Sequence, residues 1–277
     1  MLLGISTYAY RWALGGDLRF KSEFELHKPL DIYALIEKVS DLGLNVLQIC
    51  ENISLNLDES GYRMLSKYAS KKKVILEWSI LDRFTEIEPY IVERNAKIAK
   101  LVGSNLLRVY PPKREPIESF VKRIKELLPI LRKYNVRLAI ENTVNCLYSS
   151  EELVKIFEEV NDPFIGACVD PVNSIVFPEN PLETAKKLSP YAFSFHLKDF
   201  CIERKSVGEF RIFGVPLGEG KLPLRHILDI IKESPNSPSI ILEQWMDKKG
   251  SIIETLEEEE KWIKKSVKFL LSIINEK

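Results

Sequence analysis

The sequence predicts an α/β protein folded as a single (β/α)8 TIM barrel over residues 1–277. Three observations predict it. Short apolar segments alternate with helical patterns from one end of the chain to the other, eight of each. The apolar segments are rich in β-branched residues and show no polar face, as strands covered on both sides by helices must be. Eight such units in 277 residues match the size of one closed barrel. The main rival, a doubly wound open sheet, would carry a glycine-rich turn after its first strand. Here that turn is the bulky Ser6-Thr-Tyr-Ala-Tyr-Arg-Trp12.

In chain order, the first strand is placed at residues 2–6, and a helix at 31–42 is stopped by Gly43. Strand two is 46–50, followed by a polar amphipathic helix at 58–72. Strand three is 74–78, and the helix after it, 86–102, again ends at a glycine, Gly103. Strand four is 106–110. The next helix has the clearest pattern: Ile117, Phe120, Val121, Ile124, Leu127, Leu128 and Leu131 recur at three- and four-residue steps and mark one buried face. Strand five is 137–141, with a helix at 150–160. Strand six is 165–170, with a short helix at 181–188. Strand seven is 192–197. A helix at 223–232 leads to strand eight, 240–243, and the last helix buries Ile263, Val267, Leu270, Leu271 and Ile274. Two stretches lack periodicity, 8–29 and 199–222, and both read as loops over the face where barrel enzymes work. No linker, low-complexity segment or close repeat divides the chain.

Composition narrows the function classes. Lys and Arg total 40, as do Asp and Glu, and no polybasic tract stands out, so no nucleic-acid partner is expected. The amino terminus lacks the basic flank and long apolar run of a signal peptide. No window approaches the roughly 18 apolar residues of a membrane span. Cys50, Cys146, Cys168 and Cys201 are scattered without Cys-x-x-Cys spacing, which suits reduced thiols and a cytoplasmic protein.

The chemistry is read from strand ends. Leu138-Ala-Ile-Glu141, Ile165-Gly-Ala-Cys-Val-Asp170, Phe193-Ser-Phe-His196 and Ile240-Ile-Leu-Glu243 are four apolar runs that each finish on a carboxylate or an imidazole. A single acid at a strand end is ordinarily a cap or a solvated loop residue. Four in successive strands deliver their side chains to one mouth of the barrel, where barrel enzymes keep their active sites. Three carboxylates and one imidazole form a hard-to-borderline ligand set for a divalent ion. Mn, Mg or Co are favoured and Zn is compatible, with open positions left for substrate.

These motifs carry a resemblance. Ala139-Ile-Glu141-Asn142, Val169-Asp170, Phe195-His196-Leu-Lys198-Asp199, Pro216-Leu-Gly-Glu-Gly220 and Leu242-Glu243 resemble those of the xylose isomerase-like sugar phosphate isomerase/epimerase superfamily, from Met1 to about Lys268. The resemblance implies that Glu141, Asp170, His196 and Glu243 hold the metal, and that Glu141 and Glu243 also act as base and acid. One departure stands out. Epimerase members often place a histidine three residues after the aspartate, where this chain has Asn173. An amide there can hydrogen-bond a substrate hydroxyl but cannot carry a proton near neutral pH.

The mechanism expected of this set is proton transfer at a carbon beside a carbonyl, through an enediolate stabilised by the ion. Its outcome is isomerisation or epimerisation of a small sugar or sugar phosphate. Dehydration of an inosose- or dehydroshikimate-like substrate is the alternative on the same scaffold, and a non-catalytic binding protein is a second one. A repair endonuclease resembling endonuclease IV would need several histidines, and this chain has three in all. Around the centre, Lys198 is a candidate to polarise a substrate oxygen. Trp12, Trp78, Arg108 and Tyr110 sit at strand ends, and Arg211 in the long loop could reach a substrate anion. Gly218-Glu-Gly220 is weighed as a phosphate cradle against the more ordinary reading of a tight turn. A small carbohydrate is the expected partner, and a homo-oligomer is left open.

Overall fold

The computed structural model describes residues 1–15, 26, 28–81, 87–109, 111, 114–143, 148–177 and 179–275. Its strands are β1 (Leu3–Ser6), β2 (Val46–Ile49), β3 (Ile75–Ser79), β4 (Leu106–Val109), β5 (Arg137–Glu141), β6 (Ile165–Val169), β7 (Ala192–Leu197), β8 (Asp199–Ser206), β9 (Glu209–Val215) and β10 (Ser239–Leu242). Eight of them, β1 to β7 and β10, pair in parallel and close into a barrel in sequence order, with β10 returning to β1. The helices are α1 (Ile32–Asp41), α2 (Glu59–Lys71), α3 (Pro89–Val102), α4 (Ile117–Tyr134), α5 (Ser150–Val160), α6 (Pro181–Leu188), α7 (Leu224–Glu233) and α8 (Ile252–Asn275). This is the predicted (β/α)8 architecture.

Local chemistry sets the boundaries. Asp31 and Asp58 cap the first turns of α1 and α2 with their carboxylates, and Ser149 and Glu152 form a reciprocal capping box at α5. Helix α3 stops at Gly103 and α4 at Asn135, both in the left-handed conformation that glycine and asparagine adopt most readily. Helix α4 buries Phe120, Val121, Ile124, Leu127 and Leu131, the stripe its spacing predicts.

The main difference from expectation lies between β7 and α7. The stretch read as a loop folds into the antiparallel β8–β9 hairpin, paired Ile202 to Ile212 and Glu203 to Arg211. Much of the ribbon is exposed, so its apolar residues never accumulate into the buried run that marks a core strand. Of the other long loop, residues 7–10 form a 3-10 turn, and residues 16–25 and 27 lie outside the described residues. No described helix is long and apolar enough to cross a membrane.

A candidate metal centre at the barrel mouth

Side chains alternate across a strand, so every second residue of a barrel strand enters the lumen. The hydrogen bonds identify which ones. His196 on β7 meets Gln48 on β2 at 2.7 Å, although β10 and β1 separate those strands, so this contact crosses the lumen. Glu141 ends β5, Asp170 follows β6, His196 lies near the end of β7 and Glu243 follows β10. The structure brings all four together. His196 Nδ1 lies 3.7 Å from Glu141 Oε1, 3.7 Å from Asp170 Oδ2 and 3.4 Å from Glu243 Oε1. All four side chains are buried.

Each carboxylate is aimed by its neighbours. Asn142 exchanges two hydrogen bonds with the backbone of Asp170, at 2.8 and 2.7 Å. Asp170 Oδ1 then accepts from the amides of Val172 and Asn173, which leaves Oδ2 for the centre. Glu243 accepts from Ser6 Oγ at 2.9 Å on one oxygen and from Lys198 Nζ at 3.1 Å on the other. Glu141 accepts from Asn173 Nδ2 at 3.1 Å and from the Arg108 guanidinium.

The charges do not balance by themselves. At the mouth, four buried carboxylates (Glu51, Glu141, Asp170 and Glu243) face two buried cations, Arg108 and Lys198, while a fifth carboxyl, Glu77, lies deeper in the lumen, where burial raises its pKa toward the neutral form. Burial would raise the Glu243 pKa, but His196, Lys198 and Arg108 hold it down at about 2. Burial likewise penalises the cationic form of His196, yet Cys168, Glu243 and Glu141 push its pKa well above the ordinary imidazole value. The cluster therefore draws positive charge onto the ring.

This donor set fits a divalent ion. His196 Nδ1 is buried with no hydrogen-bond partner and faces three carboxylate oxygens. Ligand atoms of Asp170, His196 and Glu243 all lie within 4.8 Å of one another, as do those of Glu141, Cys168 and His196. The two excess negative charges match one divalent cation beside a neutral imidazole. Oxygen and imidazole donors suit Mn, Mg, Co or Zn.

The supporting residues divide. Lys198 is at the centre, paired with Asp170 and Glu243, and its Nζ lies 4.7 Å from the centroid of the Trp245 ring. Arg108 is at the centre too, bridging Glu141 and Glu51. Asn173 touches Glu141.

Trp78 requires a correction. It neighbours Glu77 in sequence, and alternation turns the two to opposite faces. Glu77 enters the lumen, whereas Trp78 is fully buried between barrel and helices, bonded to Asn95 and edge-on to Tyr62. Trp12 packs with Met246 and Trp262 and donates its indole N–H to the Met246 carbonyl. Arg211 projects from the hairpin, half-exposed and paired with Asp247. Tyr110 lies outside the described residues.

The Gly218-Glu-Gly220 turn has its amides already engaged. Asp199 accepts from Gly218, Gly220, Leu222 and its neighbour Phe200, all at 2.9 to 3.0 Å. A Cβ on Gly220 would lie 2.1 Å from the Asp199 carboxylate, and Gly218 has a φ of +90°. The motif is a turn built on a buried carboxylate, and the phosphate cradle does not form there.

Sequence reasoning misses Ser6, Gln48, Glu51 and Asn142. Glu51 was findable, because Val46-Leu-Gln-Ile-Cys-Glu51 is another apolar run closing on an acid. Gln48 was findable as an amide inside that same run. Cys168 reads as core and is buried, but its Sγ also lies 3.2 Å from His196 Nε2.

The family described as xylose isomerase-like TIM barrel matches residues 36–273. The chain belongs to that family. A curated relative, 3-oxo-isoapionate decarboxylase of Pectobacterium atrosepticum, is 23% identical over 275 residues, covering 98% of this chain and 95% of the relative. Among solved structures, D-psicose 3-epimerase of Clostridium cellulolyticum H10 with D-tagatose superposes with a TM-score of 0.70 at 14% identity, over 98% of this chain and 97% of that one. The probable 3-DHS dehydratase AsbF of Bacillus anthracis superposes with a TM-score of 0.69 at 16% identity, over 95% and 98%. Xylose isomerase-like barrels thus include enzymes of several reaction classes, and the scaffold alone does not choose among them.

Proposed function

We propose that this protein is a divalent-metal-dependent isomerase or epimerase of a small, unphosphorylated keto-sugar. The observation that carries the reading is the pair Glu141 and Glu243, which face His196 Nδ1 from non-adjacent strands at 3.7 and 3.4 Å. When bound, a divalent ion held by Glu141, Asp170, His196 and Glu243 would supply Lewis-acid stabilisation of charge on a substrate carbonyl oxygen. Glu141 takes the proton from the carbon beside that carbonyl. Glu243, a carboxylate in the resting site, takes a proton from water and delivers it to the opposite face, giving the epimer, or to the neighbouring carbon, giving the isomer. Glu141 gives its own proton back to that water, so the protons balance. Asn173, whose amide N–H groups bind Glu141 and the Asn142 carbonyl, offers its carbonyl oxygen to a substrate hydroxyl, and Lys198 places a positive charge beside the developing oxyanion. An unphosphorylated substrate is favoured because the Gly218 and Gly220 amides are committed to Asp199 and Arg211 to Asp247.

A second reading is carbon–carbon or carbon–oxygen cleavage from the same electron-rich intermediate. The Pectobacterium relative, by its name a decarboxylase of a keto acid, favours it. One experiment separates the readings. Protein supplied with Mn2+ is offered ketohexoses, ketopentoses and 3-oxo sugar acids in D2O. Deuterium entering recovered sugar supports proton transfer, CO2 release supports decarboxylation, and a new ultraviolet-absorbing enone supports dehydration. Glu141→Gln and Glu243→Gln should each lower turnover by about 10²–10⁴-fold. Full turnover in both variants, or purified protein that takes up no divalent ion, would sink the proposal.

A further inference from the structure

Beneath the candidate centre lies a buried polar chain that the proposed reaction does not use. His196 Nε2 lies 2.7 Å from Gln48 Oε1, and Gln48 Nε2 lies 2.9 Å from Glu77 Oε2 and 3.3 Å from Ser194 Oγ. All four side chains are buried. Strand register builds the chain: Gln48 is level with Ser6 on β1 and with Glu77 on β3, and all project into the lumen.

The chemistry of each group fixes the next. The Gln48 amide has two N–H donors, one directed to Glu77 and the other to Ser194. Only its carbonyl oxygen remains to face the imidazole, so the ring must present an N–H there. That proton sits on Nε2, which leaves the Nδ1 lone pair aimed at Glu141, Asp170 and Glu243. Nδ1 is the atom without a partner. A ring held only by its own backbone could rotate, or carry the other tautomer, and would then turn an N–H toward the carboxylates.

From this geometry we infer that Gln48, held in orientation by Glu77, is a positioning residue that sets the tautomer and ring angle of His196 and so creates the nitrogen ligand of the centre. The inference rests on the metal-centre reading for its purpose, but the proton position can be read without any metal. Removing an outer hydrogen bond to a ligating histidine characteristically weakens metal binding by about 10–100-fold.

The test uses the full-length protein, its Gln48→Leu variant, and the exchanged pair Gln48→Glu with Glu77→Gln. In the exchanged pair an oxygen still faces the ring and an amide N–H still links the two side chains. The chain has three histidines, so imidazole 1H–15N spectra are assignable by comparison with His196→Gln. In wild type a slowly exchanging Nε2–H of His196 is expected. In Gln48→Leu that signal is lost and the Mn2+ dissociation constant rises by about 10–100-fold, and the exchanged pair restores both. If Gln48→Leu does not fold, Gln48→Asn, whose shorter amide cannot reach the ring, carries the same expectation. A Gln48→Leu protein with wild-type Mn2+ affinity and an unchanged Nε2–H signal would overturn the inference, as would a neutral wild-type ring, observed above its pKa, that carries its single proton on Nδ1. If wild type binds no Mn2+ yet shows the protected Nε2–H, lost in the variant, the relay stands and the metal-dependent function falls.

Discussion

His196 has to satisfy two demands that pull in opposite directions. As a ligand it must be neutral at Nδ1, yet the surrounding carboxylates draw a proton to the ring and lift its pKa well above the ordinary value. A divalent ion and that proton therefore compete for one position. Below the raised pKa the ring is protonated and an incoming ion must displace the proton; above it the site is open. Affinity for Mn2+ should rise with pH across the neutral range, and binding should release close to one proton. Calorimetric titrations in buffers of different ionisation enthalpy measure this directly, and a pH-independent affinity with no proton release would count against the centre. The four proposed ligands were legible in the sequence because each ends an apolar run. Trp78 was misplaced because position in a run is legible, but which face a residue takes is not: successive residues alternate, and a strand covered on both sides carries apolar side chains on each face.

At the scale of elements, the hairpin and the turn behind it depend on one side chain. Asp199 is buried and collects four backbone amides, which ties the start of β8 to the Gly218–Leu222 segment leading into α7. Alanine there would strand several buried donors at once, a loss of about 3 kcal/mol or more. Asparagine keeps one acceptor oxygen and should cost less. Asp199→Ala should melt several degrees below wild type, and Asp199→Asn should fall between the two. Equal melting of all three would show that the amides find other partners. The His-x-Lys-Asp and Gly-x-Gly motifs were legible as parts of one family resemblance, but not as the two halves of one turn. That link is made by a carboxylate reaching across about twenty residues, and the exposed ribbon between them carries too little apolar periodicity to read as strands.

For the whole molecule, the decisive seam is where the ends of the chain meet. Counting eight strand patterns predicts closure, and β1 pairs with β10 as closure requires. What the sequence could not reveal is a second tie above that seam. Glu259 of α8 is buried and accepts from the amides of Trp12 at 2.6 Å and Ala13 at 2.9 Å, just beyond β1, while the Trp12 indole bonds Met246 beyond β10. No spacing rule links a helix carboxylate to amides about 250 residues earlier.

Burial lifts the Glu259 pKa to about 8 despite those two amide bonds and nearby Arg11, with Glu260 adding to the rise. Tyr10, which also faces this cluster, is itself pushed above the ordinary phenol range by burial and by the same two glutamates. The sign follows from linkage. Between the ordinary value near 4.5 and about 8, the folded protein holds the Glu259 proton more tightly than the unfolded chain. Stability is therefore lost as pH rises through that window and is flat above it. Glu259→Gln removes the titration but presents an amide N–H to one of the two backbone donors, so it starts with a fixed deficit of about 1 kcal/mol. Wild type should accordingly melt above the variant only near the acid end of this window. The difference should fall steadily as pH rises and change sign inside the window, because wild type loses about 1.4 kcal/mol per pH unit there against a fixed deficit of about 1 kcal/mol in the variant, and it should hold constant above about pH 8. All other titrating groups are common to both proteins and cancel in the difference. A difference that is independent of pH, or that shifts in favour of wild type as pH rises, would show that Glu259 is ionised throughout and that its two amide bonds outweigh its burial.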